Sequence, residues 1–397
     1  MPANSLYCDF NATTPIAPEV YRAMEPFFTT HFANPSSPHH LGRIPSRAVR
    51  EARRQIAALI GASDEAEVLF TSGATESNNA AIRSALALKP ERKKVVVSAV
   101  EHSSIRKLCV QLKREGYQIR EVVVDADGNL DFDDLRLALD QHTAIVSLMT
   151  ANNETGVIFD VERAAKIVRP YGAFFHTDAV QAAGKIPLKM SESDIDFLSL
   201  SAHKFYGPKG IGVLFIRRAT AFHPLIFGGS QERGRRAGTE NVPAIAGMGA
   251  AAQLALQSFE TESARLAELR DLFETEIMAR IPNVRINGAG AQRLPNTSHM
   301  FFRDVHAEAL LILLDQKGIC AASGSACMSG AHDPSHVLMA MGRTEQEAFS
   351  GVRFSFGRTT TGEDIARLVS SLDESVTSLR RDPVARQASA AAALAGQ

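Results

Sequence analysis

The sequence predicts an α/β protein: a mostly parallel sheet covered by helices on both faces, followed by a smaller α+β lobe. Two observations predict it. Short, continuously apolar runs at 68–71, 95–97, 119–124, 145–149, 173–175, 197–200 and 211–216 alternate with helical stretches, and strands covered on both faces are apolar at successive positions rather than at every second one. In the last third this alternation gives way to a looser mixture, with strand-like runs at 295–302, 318–320 and 352–356 and helical ones at 307–317 and 364–379.

Taken in order, Tyr7 to Pro15 reads as a short strand running into a polar turn, and Asn34 to His40 as another non-helical stretch of the kind that lines sites. Over 46–60, Val49, Ile56, Ala57 and Ile60 recur at helical spacing among arginines and a glutamate, which predicts an amphipathic helix ended by Gly61. Helices are expected at 75–88, from His102 through Leu112, at 135–139 and at 161–168. After the run at 211–216 comes a glycine- and arginine-rich loop, 228–241, and helix resumes over 243–256. Leu266, Leu269, Phe273 and Ile277 form a stripe at helical spacing that reads as core, with a domain boundary nearby. The helix at 364–379 is announced by capping-box spacing from Thr361 to Asp364. The alanine-rich end, 387–397, lacks an amphipathic pattern and is expected to be a frayed tail.

A chain of 397 residues with 45% hydrophobic content is large enough for an extensive core and too long to be comfortable as one. A formal net charge of -1 without a sustained basic stretch gives no electrostatic reason to expect nucleic acid or an anionic membrane. Met1 to Ser5 lacks the segments of a signal peptide and no unbroken apolar run is long enough to span a bilayer, so a cytoplasmic protein is expected. Cysteines at 8, 109, 320 and 327 are too few for a disulfide framework and lack the spacing of a metal site, so none is assigned a metal.

In an open α/β sheet, ligands belong at the carboxyl ends of the strands. Lys204 follows the apolar run 197–200; a lysine there is either a solvated loop residue or a desolvated amine able to attack an aldehyde. Asp178 ends another apolar run, and could cap a helix or pair with a protonated pyridine nitrogen. Thr71 to Asn78 places a glycine and four hydroxyls between strand and helix, which suits either an ordinary cap or a phosphate. His102 also follows a strand, where an imidazole could stack on an aromatic cofactor and move protons. Together these are the parts of a pyridoxal phosphate site: an anchor, an electronic partner and a Schiff-base amine. Cys327 sits in a run of small residues that suits an accessible nucleophile better than a packed thiol. Arg353 interrupts the last strand and, facing inward, would grip a carboxylate with two parallel hydrogen bonds.

Ordered matches at 9–14, 34–39, 71–78, 101–102, 151–156, 176–181, 201–210, 235–241, 323–330 and 352–356 make the chain resemble the cysteine desulfurases of the NifS and IscS group, in the class V pyridoxal phosphate aminotransferase superfamily. The resemblance implies the type I pyridoxal phosphate fold, with a large cofactor-binding domain at 15–257, a small domain from 1–14 and 258–385, and a disordered tail at 386–397. It implies that Lys204 carries the cofactor, that His102 stacks on its ring, that Asp178 pairs with the pyridine nitrogen and Gln181 with the phenolic oxygen. Ala74, Thr75, Ser201 and His203 would hold the phosphate, joined by Thr239 from the second subunit of a homodimer. Asn153 and Arg353 would bind the carboxylate of L-cysteine, and Cys327 would take its sulfur as a persulfide, releasing alanine and supplying iron–sulfur cluster assembly through a scaffold or other acceptor. Tyr206 stands where many relatives have histidine and Met328 where many have threonine. The alanine-rich end is unlike the segment by which housekeeping members dock their scaffold, which points toward the nitrogen-fixation type.

Overall fold

The computed structural model describes residues 5–324 and 333–381. Its centre is a seven-stranded sheet whose order, edge to edge, is Val68–Thr71, Gly212–Ile216, Phe197–Ser201, Phe174–Asp178, Thr143–Met149, Lys94–Ser98 and Gln118–Val122. The last five in this order are parallel to one another, while Gly212–Ile216 runs antiparallel to both of its neighbours. The reversal has a simple cause. Only residues 202–211 connect Phe197–Ser201 to Gly212–Ile216, too few for the crossover a parallel pair requires. That short turn contains Lys204, so the antiparallel return fixes the lysine at the carboxyl end of the sheet.

Both faces of the sheet are covered over its inner strands, which is why these are largely apolar, while the edge strand Gln118–Val122 is only partly buried. Val96, Leu198, Leu200, Val213 and Phe215 enter one core with Ala164, Ala165 and Val168. Their alternate neighbours Val95, Val97, Phe197, Leu214 and Ile216 enter another with Ile82, Ala85, Ile105 and Leu112. Strand order reverses direction between Lys94–Ser98 and Thr143–Met149, the kind of crevice where such sheets bind ligands.

Several elements differ from expectation. The first long helix is His40–Ile60, beginning well before residue 46, with Pro45 inside it and Gly61 closing it in the left-handed conformation. Proline disfavours a helix interior, so local patterning places the start too late; the observed start is capped by His39, whose Nδ1 accepts from the Gly42 amide, and Gly42 and Pro45 are buried. Val242–Arg280 is itself one helix of 39 residues, joining the expected helix at 243–256 to the stripe at 266–277. By length and composition it is apolar enough to cross a membrane, but half of the qualifying stretch is buried inside the protein. The strand Val284–Ile286 and the short helices Pro18–Met24, Pro26–Thr29, His336–Ala340 and Glu345–Ala348 give no periodic signal at such lengths. The capping box at the start of the last helix forms, with the Asp364 amide donating to Thr361 Oγ1 and the Thr361 amide to Asp364 Oδ2.

A third core collects Leu6 and Cys8 with Leu266, Phe273, Ile277, Phe302, Leu310, Phe354 and Leu372. Around it lie a three-stranded antiparallel sheet of Val284–Ile286, Thr297–Phe302 and Gly351–Ser355 and a parallel pair of Leu6–Tyr7 with Ile319–Cys320. Phe273 makes edge-to-face contacts with Phe354 and Phe356. The chain start is thereby pinned beside the last strands, and residues 9–14 cross from this core to the carboxyl end of the main sheet, where Asn11, Ala12 and Thr14 meet Lys204 and His203.

Candidate active site

A cleft of about 720 Å³ opens at the carboxyl ends of the central strands, lined among others by Asn11, Gly73, Thr75, His102, Asp178 and Lys204. Lys204 closes the turn Ala202–Lys204. Its Nζ donates to the carbonyls of Asn11 at 2.7 Å and Ala12 at 2.8 Å, so it is a held, half-buried amine and not a solvated loop lysine.

Asp178 ends its strand and is buried. One carboxylate oxygen accepts from the Val180 amide at 3.0 Å and the other from Asn78 Nδ2 at 2.8 Å. These two donors fix the orientation of the carboxylate in the cleft, as an electronic partner for a pyridinium requires. His102 caps the helix Ser103–Arg114, its Nδ1 accepting from the Ser104 amide at 3.2 Å. It is therefore both a structural cap and a wall of the cleft. Burial pulls its pKa down, Asp178 opposing and Lys204 reinforcing the shift, so the imidazole is neutral near pH 7 and free to take a proton.

The anion cradle is the start of the helix Ala74–Leu88. Its cap is Gly73, at φ 155°, with no side-chain hydrogen bond to the first turn, and a Cβ placed there would meet nothing within 4 Å. Neither Ser72 nor Thr75 caps the helix, so the first-turn amides that a cap would satisfy face an open space suited to phosphate. Ala74, Thr75, Ser201 and His203 line the same cleft. His203 shares a hydrogen bond with Thr13 Oγ1, and burial, with Lys204 and Lys209, lowers its pKa to about 4; it is a neutral donor or acceptor.

On another wall, Arg353 is buried at 4% exposure. Its guanidinium donates to Asp9 Oδ1 at 2.6 Å and to the carbonyl of Asn153 at 3.0 Å, which fixes its plane in the cleft. Gln181 is buried, with Nε2 donating to the Asn11 carbonyl at 3.0 Å. Thr239 lies apart: it is exposed and lines an adjoining cleft of about 240 Å³ that shares Ser72 and Gly210 with the first. Cys327 lies outside the described residues. Gly324, the last described residue before it, lines the cleft and lies close against the carboxylate of Glu154. On the other side, Ser335 Oγ donates to Glu154 Oε2.

Three further residues hold this arrangement together without being assigned roles from the sequence. Asn11 receives Lys204 and Gln181 on its carbonyl and donates from Nδ2 to the Asn153 carbonyl and Thr297 Oγ1. Asn78 aims Asp178, and its own Oδ1 is buried without a partner. Glu154 ties Ser335. Asn11 and Asn78 sit in stretches that the sequence marks as site-lining, but an asparagine gives no local sign of which carbonyl or carboxylate it will meet.

An amine, a carboxylate with both oxygens held, an uncapped helix start and a neutral imidazole on one cleft fit pyridoxal phosphate and define a class: a fold type with its Schiff-base lysine at a strand end. The aminotransferase class-V family model matches residues 6–368. The chain belongs to that family, and within it to the cysteine desulfurases. It is 49% identical to the cysteine desulfurase of Trichormus azollae over 94% of each chain. It is 47% identical to the cysteine desulfurase NifS of Azotobacter vinelandii, over 94% of this chain and 93% of that one. A solved NifS-like protein superposes with a TM-score of 0.88 at 32% identity, covering 94% of this chain and 99% of its own. The cofactor of this family is pyridoxal phosphate.

Proposed function

We infer that the chain is a pyridoxal phosphate-dependent L-cysteine desulfurase, and the observation that carries this is the convergence of Lys204, Asp178 and the uncapped helix start on one cleft. Bound there, the cofactor supplies an electron sink for carbanion chemistry at the substrate. We assign the rest to this chain's own groups. Lys204 Nζ, held on two carbonyls, is the amine that carries the cofactor and later moves a proton. Neutral His102 would take and return a proton in the cleft, while the amides at residues 74–76, with Thr75, Ser201 and His203, would hold the phosphate. Arg353, its plane set by Asp9 and Asn153, orients the substrate carboxylate.

The thiolate of Cys327 then attacks the sulfur of L-cysteine. The carbon–sulfur bond breaks as a sulfur–sulfur bond forms, and the carbon that loses sulfur takes up a proton to leave as alanine. Two features support Cys327 in this role. Gly324 and Ser335, which precede and follow it in the chain, both meet Glu154, beside the cleft. The other cysteines are poorly suited: burial raises the thiol pKa of Cys8 and Cys320, and lifts that of Cys109 to about 12.

Mass spectrometry after L-cysteine treatment is expected to show added sulfur on Cys327. Cys327→Ala should lose both the persulfide and alanine release, by roughly 10³-fold. A variant that still releases alanine with persulfide formation elsewhere would sink the assignment, and transamination of pyruvate independent of Cys327 would favour an aminotransferase instead. Arg353→Gln should raise KM for L-cysteine about 10- to 100-fold, the worth of a charged hydrogen-bond pair, with less effect on kcat. Steady-state kinetics decides this.

We propose a homodimer in the cytoplasm. Exposure of Phe28, Phe32, Leu41 and Phe227 in the single chain supports association, and the position of Thr239 outside its own cleft supports its reach into a second subunit. We propose the large domain as 15–257 and the small one as 1–14 with 258–385. The sulfur is proposed to feed iron–sulfur cluster assembly of the nitrogenase type; restored nitrogenase maturation in a strain lacking its own NifS is the expected result.

A further inference from the structure

Behind Lys204 and Gln181 lies a second lysine to which no step has been given. Lys185 follows Gln181 by one helical-length turn, and its Nζ lies 3.0 Å from Gln181 Oε1 and 3.3 Å from Asn11 Oδ1. The residue is partly exposed, yet its ammonium end lies deep enough that burial, helped by Lys204 and Arg353, pulls its pKa down to about 7. Among the described residues no carboxylate forms an ion pair with it. Lys185 and Lys204 also line one small cavity of about 40 Å³, with Tyr206, Glu262, Asn296 and Arg358. An amine held at such a cost without an ion-pair partner has work other than stability to do.

We propose that Lys185 is a positioning residue for the cofactor pocket, fixing the carboxamides of Gln181 and Asn11 so that both amino groups face the groups lining the cleft. A carboxamide can turn over and exchange its oxygen for its nitrogen at little steric cost, so only its partners decide which end faces where. Between two carboxamide oxygens an amine donates to both, whether protonated or neutral. Gln181 Oε1 is thereby drawn away, and Nε2 is left to donate, now to the Asn11 carbonyl at 3.0 Å and, on the proposed function, to the phenolic oxygen of the cofactor. Asn11 is set in the same way. With Oδ1 accepting from Lys185 and Asn296, its Nδ2 must point to Asn153 and Thr297. One amine thus orients a donor for the cofactor and braces the carbonyl that holds Arg353.

This inference rests on the cofactor reading above, and the test separates the two. The visible absorption band of the holoenzyme is recorded for Lys185→Met and Lys185→Leu, alone and combined with Gln181→Leu. Without Lys185, Gln181 can turn its oxygen toward the phenolic oxygen, which then keeps its proton. The band is expected to lose intensity to a shorter-wavelength form, and the cofactor Kd to rise roughly threefold to tenfold, the worth of one hydrogen bond. In the Gln181→Leu background either Lys185 substitution should move the band no further. An equal shift in both backgrounds would mean that Lys185 acts as a charge beside Lys204, and overturns the proposal, as does a band unmoved by either substitution alone. Two apolar replacements are used so that misfolding of one leaves the other to decide. A wild-type protein with no visible band, or a band that survives Lys204→Ala, overturns the cofactor reading and this inference with it.

Discussion

Lys204→Ala is expected to abolish desulfuration and the visible band of the holoenzyme together, with alanine release falling by at least roughly 10³-fold. The physical reason lies in where the amine is held. The turn Ala202–Lys204 follows a fully buried strand, and Nζ is fastened to the carbonyls of Asn11 and Ala12. No other lysine is offered the same position: Lys185 is committed to Gln181 and Asn11, and Lys209 is exposed. The substitution leaves the Ala12 carbonyl without this donor, but the cleft is open to water. Stability should therefore fall by no more than about 1–3 kcal/mol, and circular dichroism should show a folded protein. Partial recovery of alanine release with an added small primary amine would confirm that the missing function is that of a base. Activity retained at a tenth of wild type or more would refute the role of Lys204.

The second large effect is expected at Asp178. Asp178→Asn should lower kcat by roughly 10²–10³-fold, the usual loss when one preorganised electrostatic partner is removed from a reaction centre, with little change in fold. Both carboxylate oxygens now accept, from Val180 and Asn78. In the asparagine variant one oxygen becomes an NH2 group, and Asn78 can turn its unpartnered Oδ1 to meet it, so the hydrogen bonds survive while the negative charge does not. That separation is the value of the variant. If its kcat matched wild type, the charge at 178 would have no part in catalysis, and the buried carboxylate would be a turn-former only.

Much of this site is legible in the sequence because its residues sit where local patterns end. Asp178, His102, Lys204 and Thr75 each follow an apolar run, and the end of a buried strand is the one place where a polar side chain can be deep and yet reach a ligand. The single continuous helix Val242–Arg280 is less legible, since its apolar face changes from one core to another along its length and a moving face blurs any periodic signal. The early start of His40–Ile60 is hidden by Pro45, whose intrinsic cost is outweighed by packing that no local window contains.

What the sequence determined by itself is the set of parts: a sheet apolar on both faces, the polar residues at its strand ends, and the resemblance that assigns them a cofactor. Tertiary structure alone decided how those parts are aimed. Asn11, more than a hundred residues from both in the chain, receives Lys204 and Gln181 on one carbonyl; Asn78 aims Asp178; Asp9 and Asn153 set the plane of Arg353; and Lys185 faces the two amides it can orient. Residue type and local spacing determine which groups are available, because propensity and patterning act over a few residues. Direction is different. A hydrogen bond is fixed by the position of its partner, and here nearly every partner comes from a distant part of the chain.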